Sequence, residues 1–511
     1  MKGEKYLAAL DIGTNSCKVA IYDPQHHRMY SASKEYGLLF PEPGYVEQDP
    51  EVWYRAGVCA LRDALKKFPR AASRIAAICI SGTNALVVVD EQGLPVCNAV
   101  MFSDRRSELQ ASELARRYGV TIDRITGNRP VAGSFSLPII NWFRQMRPEL
   151  WEKVYTVLVP AGYIIMRLTG ERTIDTSRAS MTLLFDLAER QWSQEICAKE
   201  DISNGLLPEL FEPWQVVGKM RPEVSSLLGI EPGVPVLAGC VDSVAACLGA
   251  GVIESGQALL MLGSTGRVSM SINSPDFDSK LINQCHAIPG HWICIGAMNN
   301  SGGSLRWFAD SFCHLEKAIK ARAGISPYEL IDMAASHSTP GSRGIVYLPY
   351  LSGERSPIWN SRARGVFFGL FEGSNWSDLA RSVMEGVAFS FRDNLISIEG
   401  TTGKSTTKFT LVGGGAKSRL WRQILCDVLE RPLTVPKIIE AEIVGCIALA
   451  GYASHVWGSV EEAVAELFTK TEELSPNPQH AEIYERRFQL YKDLYHALVP
   501  IFDKAAESPG D

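Results

Sequence analysis

Apolar residues flank short glycine turns at two places about half a chain apart. Residues 7–23, LAALDIGTNSCKVAIYD, are typical of a strand, a Gly-Thr-Asn turn and a second strand. Residues 258–272, ALLMLGSTGRVSMSI, repeat this design around a Gly-Ser-Thr-Gly turn. The pattern predicts two β-hairpins and favours a protein of two related halves, although a strand-glycine-strand pattern can also recur by chance.

Strands and helices alternate through the rest of the chain. Asp49-Pro50 is a helix start that predicts a helix to Lys67, because Asp caps a first turn and Pro suits its first position. The spacing also predicts strands at 74–82 and 86–90 and a helix from Arg105 to Tyr118. Near the end, the strand at 408–412, a triple-glycine turn and an amphipathic helix follow one another. Apolar positions on that helix are Leu420, Ile424 and Val428.

Glycines cluster at 249–256, which predicts two domains, 1–250 and 251–511.

Composition narrows the class of protein. The 511 residues are 46% hydrophobic and 21% charged, which suits two ordinary buried cores. A net charge of −6 argues against a nucleic-acid partner. No apolar run is long enough to span a membrane, and Asp11 interrupts any signal-peptide core near the start. We therefore expect a cytoplasmic protein without a membrane or nucleic-acid partner.

The twelve cysteines are scattered and form no CxxC pair. Structural zinc needs clustered ligands, so the spacing argues against a zinc site. Most of the thiols should be buried as small apolar groups. Cys285 and Cys313 are the expected exceptions, since each lies near a histidine.

Asp242 is the strongest chemical candidate. It follows an apolar run in LAGCVDSVAACLGAG, among small and apolar residues, where an ionised carboxylate needs a metal, a partner or a reacting proton. An alternative is that Asp242 only caps the helix that begins at Ser243. Asp11 stands in a similar place, at the end of an apolar strand and beside a Gly-Thr turn. Two such aspartates favour a catalytic role over a cap.

Glycine turns supply the next candidate chemistry. Several backbone N–H groups can converge on phosphate oxygens only where no Cβ intervenes. The turns at 13–14, 263–266 and 413–415 fit this need, and the last is expected to open a helix whose N-terminus attracts anions. The chain has neither a GxxxxGK[ST] loop nor a GxGxxG turn in a first βαβ unit. Three glycine turns and two aspartates together suggest nucleotide phosphates, a metal ion and one catalytic base.

Six motifs, in order along the chain, resemble those of the FGGY carbohydrate kinases, and most closely the branch that contains xylulose kinases. They are DIGTNSCK, GCVDSVAACLGAG, LGSTG, NNSGGSLRWF, YLPYLSGERSPIWNSRARGVFFGL and LVGGGAKSRLWRQILCDVL. The resemblance implies a two-domain α/β fold of the actin/hexokinase-like ATPase (ribonuclease H-like) class, with a deep interdomain cleft. It also implies transfer of the ATP γ-phosphate, with Mg²⁺, to a hydroxyl of a small sugar such as D-xylulose. Relatives of this kind are often homodimers.

The resemblance assigns roles residue by residue. Asp242 takes the position of the base that accepts the proton of the attacking hydroxyl. Asp11 takes the position of a Mg²⁺ ligand, acting through water, with Asp242 as the second acidic residue at the ion. The positions implied for ATP are Thr14, Asn15, Lys18, Gly263, Ser264, Thr265, Gly414, Gly415 and Ala416. The positions implied for the sugar are Thr83, Asn84, Asp104, Arg105, Asp242 and Ser243.

The assignment of Lys18 keeps an alternative, and so does the role of the motif SGERSP. Lys18 could point to solvent from its strand instead of facing phosphate. Glu354 and Arg355, in SGERSP, are expected to order their loop rather than to touch the sugar.

The chain also departs from the xylulose kinase pattern at three places. A Gln-Met-His run is replaced by Gly82-Thr83-Asn84, an Asn after the base by Ser243, and a Lys by Ile139. An Asn cannot replace a His without moving a hydrogen bond, and sites that bind hydroxyl groups discriminate through such bonds. The acceptor could therefore be ribulose, gluconate, another polyol or a signalling sugar.

One reading from another class is an actin-like ATP-binding protein that transfers no phosphate. Such a protein needs no base at the cleft floor, so the presence of Asp242 favours the kinase.

Overall fold

The structure is a computed structural model, and it describes residues 4–313, 324, 326–406, 408–437 and 440–506. Its strands are Tyr6–Ile12, Ser16–Asp23, Arg28–Glu35, Glu47–Gln48, Ile75–Gly82, Ala85–Val89, Ala99–Met101, Thr156–Leu158, Thr173–Asp175, Phe185–Asp186, Gln191–Trp192, Glu209–Phe211, Val216–Lys219, Pro235–Leu237, Cys240–Val241, Gln257–Leu262, Gly266–Ile272, Ile282–Cys285, Trp292–Met298, Val346–Leu348, Val366–Phe368, Lys408–Val412, Leu433–Pro436 and Lys470–Leu474. Its α-helices are Pro50–Lys67, Glu108–Thr126, Ser136–Met146, Pro148–Trp151, Pro160–Thr169, Thr176–Ala179, Gln194–Lys199, Pro222–Leu228, Asp242–Gly249, Gly302–Phe312, Pro327–Ser336, Trp376–Thr402, Arg419–Leu429, Ala441–Ala453, Val460–Leu467 and Ala481–Ala506.

Two seven-stranded mixed sheets form the frame of the molecule, and each contains one of the predicted hairpins. In the first sheet the hairpin pairs antiparallel with Arg28–Glu35 on one side and parallel with Ile75–Gly82 on the other. In the second sheet the hairpin pairs in the same two ways, with Trp292–Met298 and Lys408–Val412. The shared arrangement supports the prediction of two related halves.

The first sheet uses strands from residues 6–241 and the second uses strands from residues 257–474. Helices Ala441–Ala453 and Val460–Leu467, however, belong to the same apolar core as helix Asp242–Gly249. The chain therefore returns to the first sheet before its last helix. This return packs two helices from the second half of the chain against the first half.

The local predictions can be compared element by element. Both hairpins and the helix Pro50–Lys67 are confirmed, and the Asp49 side chain accepts a hydrogen bond from the Glu51 amide as a cap should. The predicted helix from Arg105 to Tyr118 is wrong at both ends, since it runs from Glu108 to Thr126. Asp104 accepts a hydrogen bond from the Arg106 amide, which keeps that segment in a turn.

Most cysteines are buried, as predicted, but the two expected exceptions are wrong. Cys285 and Cys313 are buried, whereas Cys59 is exposed and Cys97 half-buried. Ile139 lies in the apolar core, on the helix Ser136–Met146. None of the helices in the described part of the chain combines the length and the apolar composition needed to cross a bilayer.

Candidate active site

Asp242 is the first residue of the helix Asp242–Gly249, directly after the strand Cys240–Val241. The N-cap position is held by Val241 and not by Asp242, so the capping alternative does not describe Asp242. About a third of the side chain is exposed (32%), and Arg267 Nη1 lies 3.7 Å from Asp242 Oδ1. The carboxylate therefore faces an accessible space and has a cationic neighbour from the second sheet.

Buried hydrogen bonds fix the backbone that carries Asp242. The Ser177 hydroxyl accepts a hydrogen bond from the Val241 amide at 3.0 Å. Arg178 donates to the carbonyls of Ile80 and Cys240 at 2.7 and 2.8 Å, and it pairs with Asp175. These contacts tie the strand Cys240–Val241, which leads into Asp242, to the neighbouring strand Ile75–Gly82.

Asp11 is buried on the strand Tyr6–Ile12, and the Ser81 hydroxyl donates to its Oδ1 at 2.9 Å. Burial, followed by the negative charges of Glu442 and Asp242, raises the pKa of Asp11 to about 7. Three neighbouring carboxylates repel one another, and a bound cation would relieve that repulsion.

Glu442 was not found by sequence reasoning. It comes to the carboxylates on the helix Ala441–Ala453, which packs closely on the helix Asp242–Gly249. A Cβ at Gly249 would lie 2.0 Å from the Ala441 oxygen, and a Cβ at Gly445 would lie 2.0 Å from the Ala245 oxygen. Glycine at both positions therefore sets the distance between the two helices and brings Glu442 to the site.

Lys18 is half-buried and stands opposite Asp11 in the hairpin register. Its positive charge lowers the pKa of Asp11 and of Glu442, against the stronger effect of burial. Lys18 is therefore near enough to both carboxylates for its charge to affect them.

A cavity of about 190 Å³ opens in front of Asp242, and we refer to it as the Asp242 cavity. Both halves of the chain line it. Predicted site residues in its wall are Thr14, Thr83, Asn84, Asp242, Ser243 and Thr265. Polar residues in its wall that sequence reasoning did not place there are Ser134, Arg267, Gln284 and Arg355.

Asn84 and Thr83 occupy the wall that the first half contributes. Asn84 Nδ2 donates to the Ser134 carbonyl at 2.8 Å, and this bond fixes the orientation of the amide. The Thr83 amide donates to the Ile12 carbonyl at 2.9 Å. Across the cavity, the Ser243 hydroxyl donates to Gln284 Oε1 at 2.7 Å. The wall therefore presents polar groups held in place by hydrogen bonds, beside apolar side chains such as Phe102 and Ile282.

Asp104 and Arg105 do not line the Asp242 cavity. Asp104 is buried, pairs with Arg106 at 2.8 Å and accepts a hydrogen bond from the Val46 amide at 2.6 Å. Arg105 is exposed. The structure therefore separates both residues from the other predicted sugar contacts.

A second cavity of about 540 Å³ lies beside the glycine turns, and we refer to it as the glycine-turn cavity. Gly263, Ser264, Gly414 and Gly415 line it, as does Lys417, which sequence reasoning missed. Ala416 is buried next to the turn, and Asn15 is exposed at the tip of the first hairpin.

The turn at 413–415 does not open an α-helix, and that expectation was wrong. Gly414–Lys417 forms a 3-10 turn, and the α-helix begins at Arg419 after Ser418, whose hydroxyl accepts the Trp421 amide at 3.0 Å. A helix N-terminus does reach the other turn: the Gly302 and Gly303 amides donate to the Gly263 and Ser264 carbonyls at 2.7 and 2.9 Å.

The loop Gly263–Gly266 joins the two cavities, because Gly263 and Ser264 line one and Thr265 and Gly266 line the other. An elongated ligand can therefore run past this loop from the larger cavity toward Asp242. Among the described residues, no three His, Cys, Asp or Glu side chains form a ready-made metal site.

Glu354 orders its loop, as predicted. Its Oε1 accepts hydrogen bonds from the amides of Asn299 and Arg355 at 2.6 and 2.8 Å. Arg355 also orders the loop, by donating to the Met298 carbonyl at 2.9 Å, but in addition it lines the Asp242 cavity.

Glu354 carries a pH prediction for stability. Burial raises the pKa of Glu354 to about 7, so the folded protein holds a proton that the unfolded chain releases near its ordinary pKa of 4.5. The contribution of Glu354 is therefore greatest at low pH and is lost as pH rises through 7. The free energy of unfolding of Glu354→Gln, relative to that of the wild type, should increase by about 2–3 kcal/mol when the pH is raised from 5 to 8. Denaturant unfolding at both pH values measures this difference.

Exposed Glu482→Gln is the control for the Glu354 variant. A difference between Glu354→Gln and the wild type that does not change with pH would contradict the prediction.

Comparison with known proteins agrees with this geometry. The model for the N-terminal domain of the FGGY family of carbohydrate kinases matches residues 6–249, and the model for the C-terminal domain matches residues 259–454. The chain belongs to the FGGY family of carbohydrate kinases. It is an ATP-dependent sugar kinase with a two-domain α/β fold of the actin-like ATPase class, as the motifs implied.

Individual relatives cover nearly the whole chain. A xylulose kinase from Lactococcus lactis is 32% identical, over 96% of this chain and 96% of the relative. A gluconokinase from Bacillus subtilis is 29% identical, over 98% of each chain. The crystal structure of a ligand-bound xylulose kinase from Lactobacillus acidophilus superposes with a TM-score of 0.90 at 26% identity, covering 98% of this chain and 99% of that one.

Proposed function

We propose that this FGGY kinase transfers the ATP γ-phosphoryl group to a terminal hydroxyl of a linear pentulose, with D-xylulose as the first candidate. The observation that carries the proposal is the loop Gly263–Gly266, which lines both the glycine-turn cavity and the Asp242 cavity. ATP in the larger cavity can present its γ-phosphate along this loop to an acceptor held beside Asp242.

Asp242 is the proposed general base. Its carboxylate is partly exposed, and Val241 rather than Asp242 holds the N-cap position, so an oxygen is available to accept the proton of an acceptor hydroxyl. Proton acceptance raises the nucleophilicity of the hydroxyl oxygen while the Asp242 cavity orients it. Phosphoryl transfer depends mainly on such positioning and on charge stabilisation.

The nucleotide is proposed to bind through the two glycine turns. Gly414, Gly415 and Ala416 are assigned to the α-phosphate and ribose region, and Gly263, Ser264 and Thr265 to the phosphates nearer the acceptor. Thr14, Asn15 and Lys18 supply the first hairpin's part of the phosphate site. Lys417 in the larger cavity adds a positive charge to this set.

Mg²⁺ fits the residues that are present. Asp11 and Asp242 would hold it, and the nearby charge of Glu442 adds to the attraction for a cation; burial, followed by this charge, raises the pKa of Asp11. Magnesium usually binds through one or two carboxylates plus waters and substrate phosphates, which suits the pair Asp11 and Asp242. When bound, the ion neutralises charge on the phosphate oxygens.

The substrate assignment uses the polar wall and the relatives. Thr83, Asn84, Ser243 and Gln284 offer donors and acceptors suited to a chain of hydroxyl groups. Asp104 and Arg105 remain sugar-binding candidates only if the cleft closes further than it does here. Gluconate is the second candidate acceptor, because two arginines, Arg267 and Arg355, line the same cavity and could pair with a carboxylate.

An acceptor panel tests the assignment. Purified protein is mixed with Mg²⁺, ATP and one acceptor at a time: D-xylulose, ribulose, gluconate or a polyol. We expect the largest kcat/KM for ADP release with D-xylulose. A larger value for gluconate would replace the pentulose by an aldonate, and ADP release that no acceptor increases would contradict the proposed function.

Asn84 is expected to contact the acceptor. Its amide nitrogen is used by Ser134, which leaves the carbonyl oxygen free to accept from a sugar hydroxyl. Asn84→Ala should raise KM for the acceptor about 10-fold, or roughly 1.4 kcal/mol, while KM for ATP stays unchanged. Initial rates with each substrate varied in turn measure both constants. Exposed Asn204→Ala, the same change outside both cavities, is the matched control. Equal shifts in both constants would contradict the role and direct the search to Asp104 and Arg105.

We place this activity in the cytoplasm, where ATP is available, and the enzyme could work there as a monomer or as a homodimer.

A further inference from the structure

Arg267 is the first residue after the turn of the second hairpin. It lies on the strand Gly266–Ile272, opposite Met261 on one neighbouring strand and Ala297 on the other. Its side chain is largely buried (19% exposed) and lines the Asp242 cavity. Arg267 therefore connects the loop Gly263–Gly266 with the proposed base, Asp242.

Two carboxylates lie near the guanidinium without forming hydrogen bonds to it. Nη1 is 3.7 Å from Asp242 Oδ1, and Nη2 is 4.0 Å from Glu442 Oε1. Hydrogen bonds between charged groups are about 2.7–2.9 Å long, so neither contact uses an N–H group directly. Arg267 Nε and Nη2 are buried without a hydrogen-bond partner among the described residues.

Arg178, in the same part of the molecule, shows what a structural arginine looks like. Its two terminal nitrogens donate to the Asp175 carboxylate and to the carbonyls of Ile80, Ala238 and Cys240. In the described part of the chain Arg267 donates no hydrogen bond of this kind; Nε lacks a partner in both arginines, so the difference lies at the terminal nitrogens. Leaving buried donors unpaired costs stability, and such a cost is kept where a ligand supplies the acceptors.

We propose that Arg267 is a catalytic residue that donates hydrogen bonds to the non-bridging oxygens of the γ-phosphoryl group during its transfer. The inference rests on the proposed function. The acceptor oxygen forms a bond to the γ-phosphorus and gives its proton to Asp242. The bond between the γ-phosphorus and the bridging oxygen breaks, and its electron pair leaves with ADP.

The position of Arg267 favours the phosphoryl group over the acceptor as its ligand. The phosphoryl group in transfer must lie between the loop Gly263–Gly266 and Asp242, and Arg267 follows that loop directly and reaches toward that carboxylate. Negative charge spreads over the three equatorial oxygens of the phosphoryl group in the transition state, where a planar guanidinium can donate two parallel hydrogen bonds.

The test compares Arg267→Gln and Arg267→Lys with the wild type, with exposed Arg486→Gln as the matched control. We expect kcat to fall about 10³-fold in Arg267→Gln and substantially less in Arg267→Lys. The Kd for ATP and KM for the acceptor should stay within about threefold. Affinity for ADP with aluminium fluoride and Mg²⁺, which imitates the transferring group, should fall in parallel with kcat.

Several results would overturn the inference. A kcat within threefold of the wild type would exclude a contact with the phosphoryl group. A loss confined to acceptor KM would show that Arg267 binds the acceptor. A loss of kcat with a displaced pH profile and normal ADP–aluminium fluoride affinity would show that it only positions Asp242. Failure of the wild type itself to phosphorylate any acceptor would instead overturn the proposed function, and the inference with it. If Arg267→Gln does not fold, as its melting curve would show, the same comparison is decided with Arg267→Lys.

Discussion

Replacing Asp242 by Asn is expected to lower kcat by at least ~10²-fold, the lower range for loss of a general base. The amide keeps the shape of the side chain but cannot accept the proton of the acceptor hydroxyl. The Kd for ATP should be nearly unchanged, because Asp242 faces the acceptor, whereas the turns assigned to the nucleotide line mainly the larger cavity. Steady-state rates and nucleotide titration measure the two quantities separately.

Asp63→Asn is a suitable control for the Asp242 variant. Asp63 pairs with Lys34 and Lys66 at the surface, so the same chemical change there should leave turnover unaffected. If Asp242→Asn turns over at the wild-type rate, Asp242 is not the base. If instead it binds ATP much more weakly at an unchanged kcat, Asp242 belongs to the nucleotide site.

Replacing Asp11 by Ala is expected to raise the Mg²⁺ concentration needed for half-maximal velocity and to reduce kcat by about 10²-fold, or roughly 2.7 kcal/mol. Burial, followed by repulsion from Glu442 and Asp242, raises the pKa of Asp11 to about 7. Removal of the Asp11 charge therefore weakens the attraction of this group for the ion. Asp11→Asn should behave similarly, although it can keep the hydrogen bond from Ser81. Velocity measured against Mg²⁺ at saturating ATP gives both values.

Ser81→Ala separates the charge of Asp11 from its hydrogen bond. It removes the donor to Asp11 Oδ1 and leaves the carboxylate in place, so the Mg²⁺ requirement should change little. An Asp11→Ala enzyme with the wild-type Mg²⁺ titration would exclude Asp11 as a ligand.

The sequence was sufficient for features that depend on neighbouring residues along the chain. Both hairpins follow from apolar runs on either side of a glycine turn, and the helix Pro50–Lys67 follows from its Asp49 cap. The end of the helix Glu108–Thr126 was missed because Tyr118 is followed by three residues of low helix propensity, 119–121 (Gly-Val-Thr), whereas the helix continues until Gly127 adopts a left-handed conformation.

The site residues that were missed depend on packing between distant segments. Glu442 reaches the other carboxylates because Gly249 and Gly445 allow two helices from different halves to come close together. Arg267 reaches Asp242 because the second sheet faces the helix that begins there. No local motif marks either residue. For Glu442, the signal available in the sequence was a glycine within each of the two apolar segments that form these helices.

Asp104 shows how little a motif says about the state of a side chain. A resemblance between short motifs suggested a sugar contact, but Arg106 and the Val46 amide already satisfy its carboxylate. Resemblance places a residue in a segment, whereas the hydrogen bonds of the fold decide whether its side chain is free to bind a ligand.

The most direct test of the account is the mass of the product formed from ATP, Mg²⁺ and D-xylulose by the wild type and by Asp242→Asn. The account predicts that the wild type converts the sugar to its monophosphate and releases one ADP for each product molecule, while Asp242→Asn forms at least ~10²-fold less in the same time. ATP hydrolysis to inorganic phosphate with an unmodified sugar, or equal product from both proteins, would contradict it.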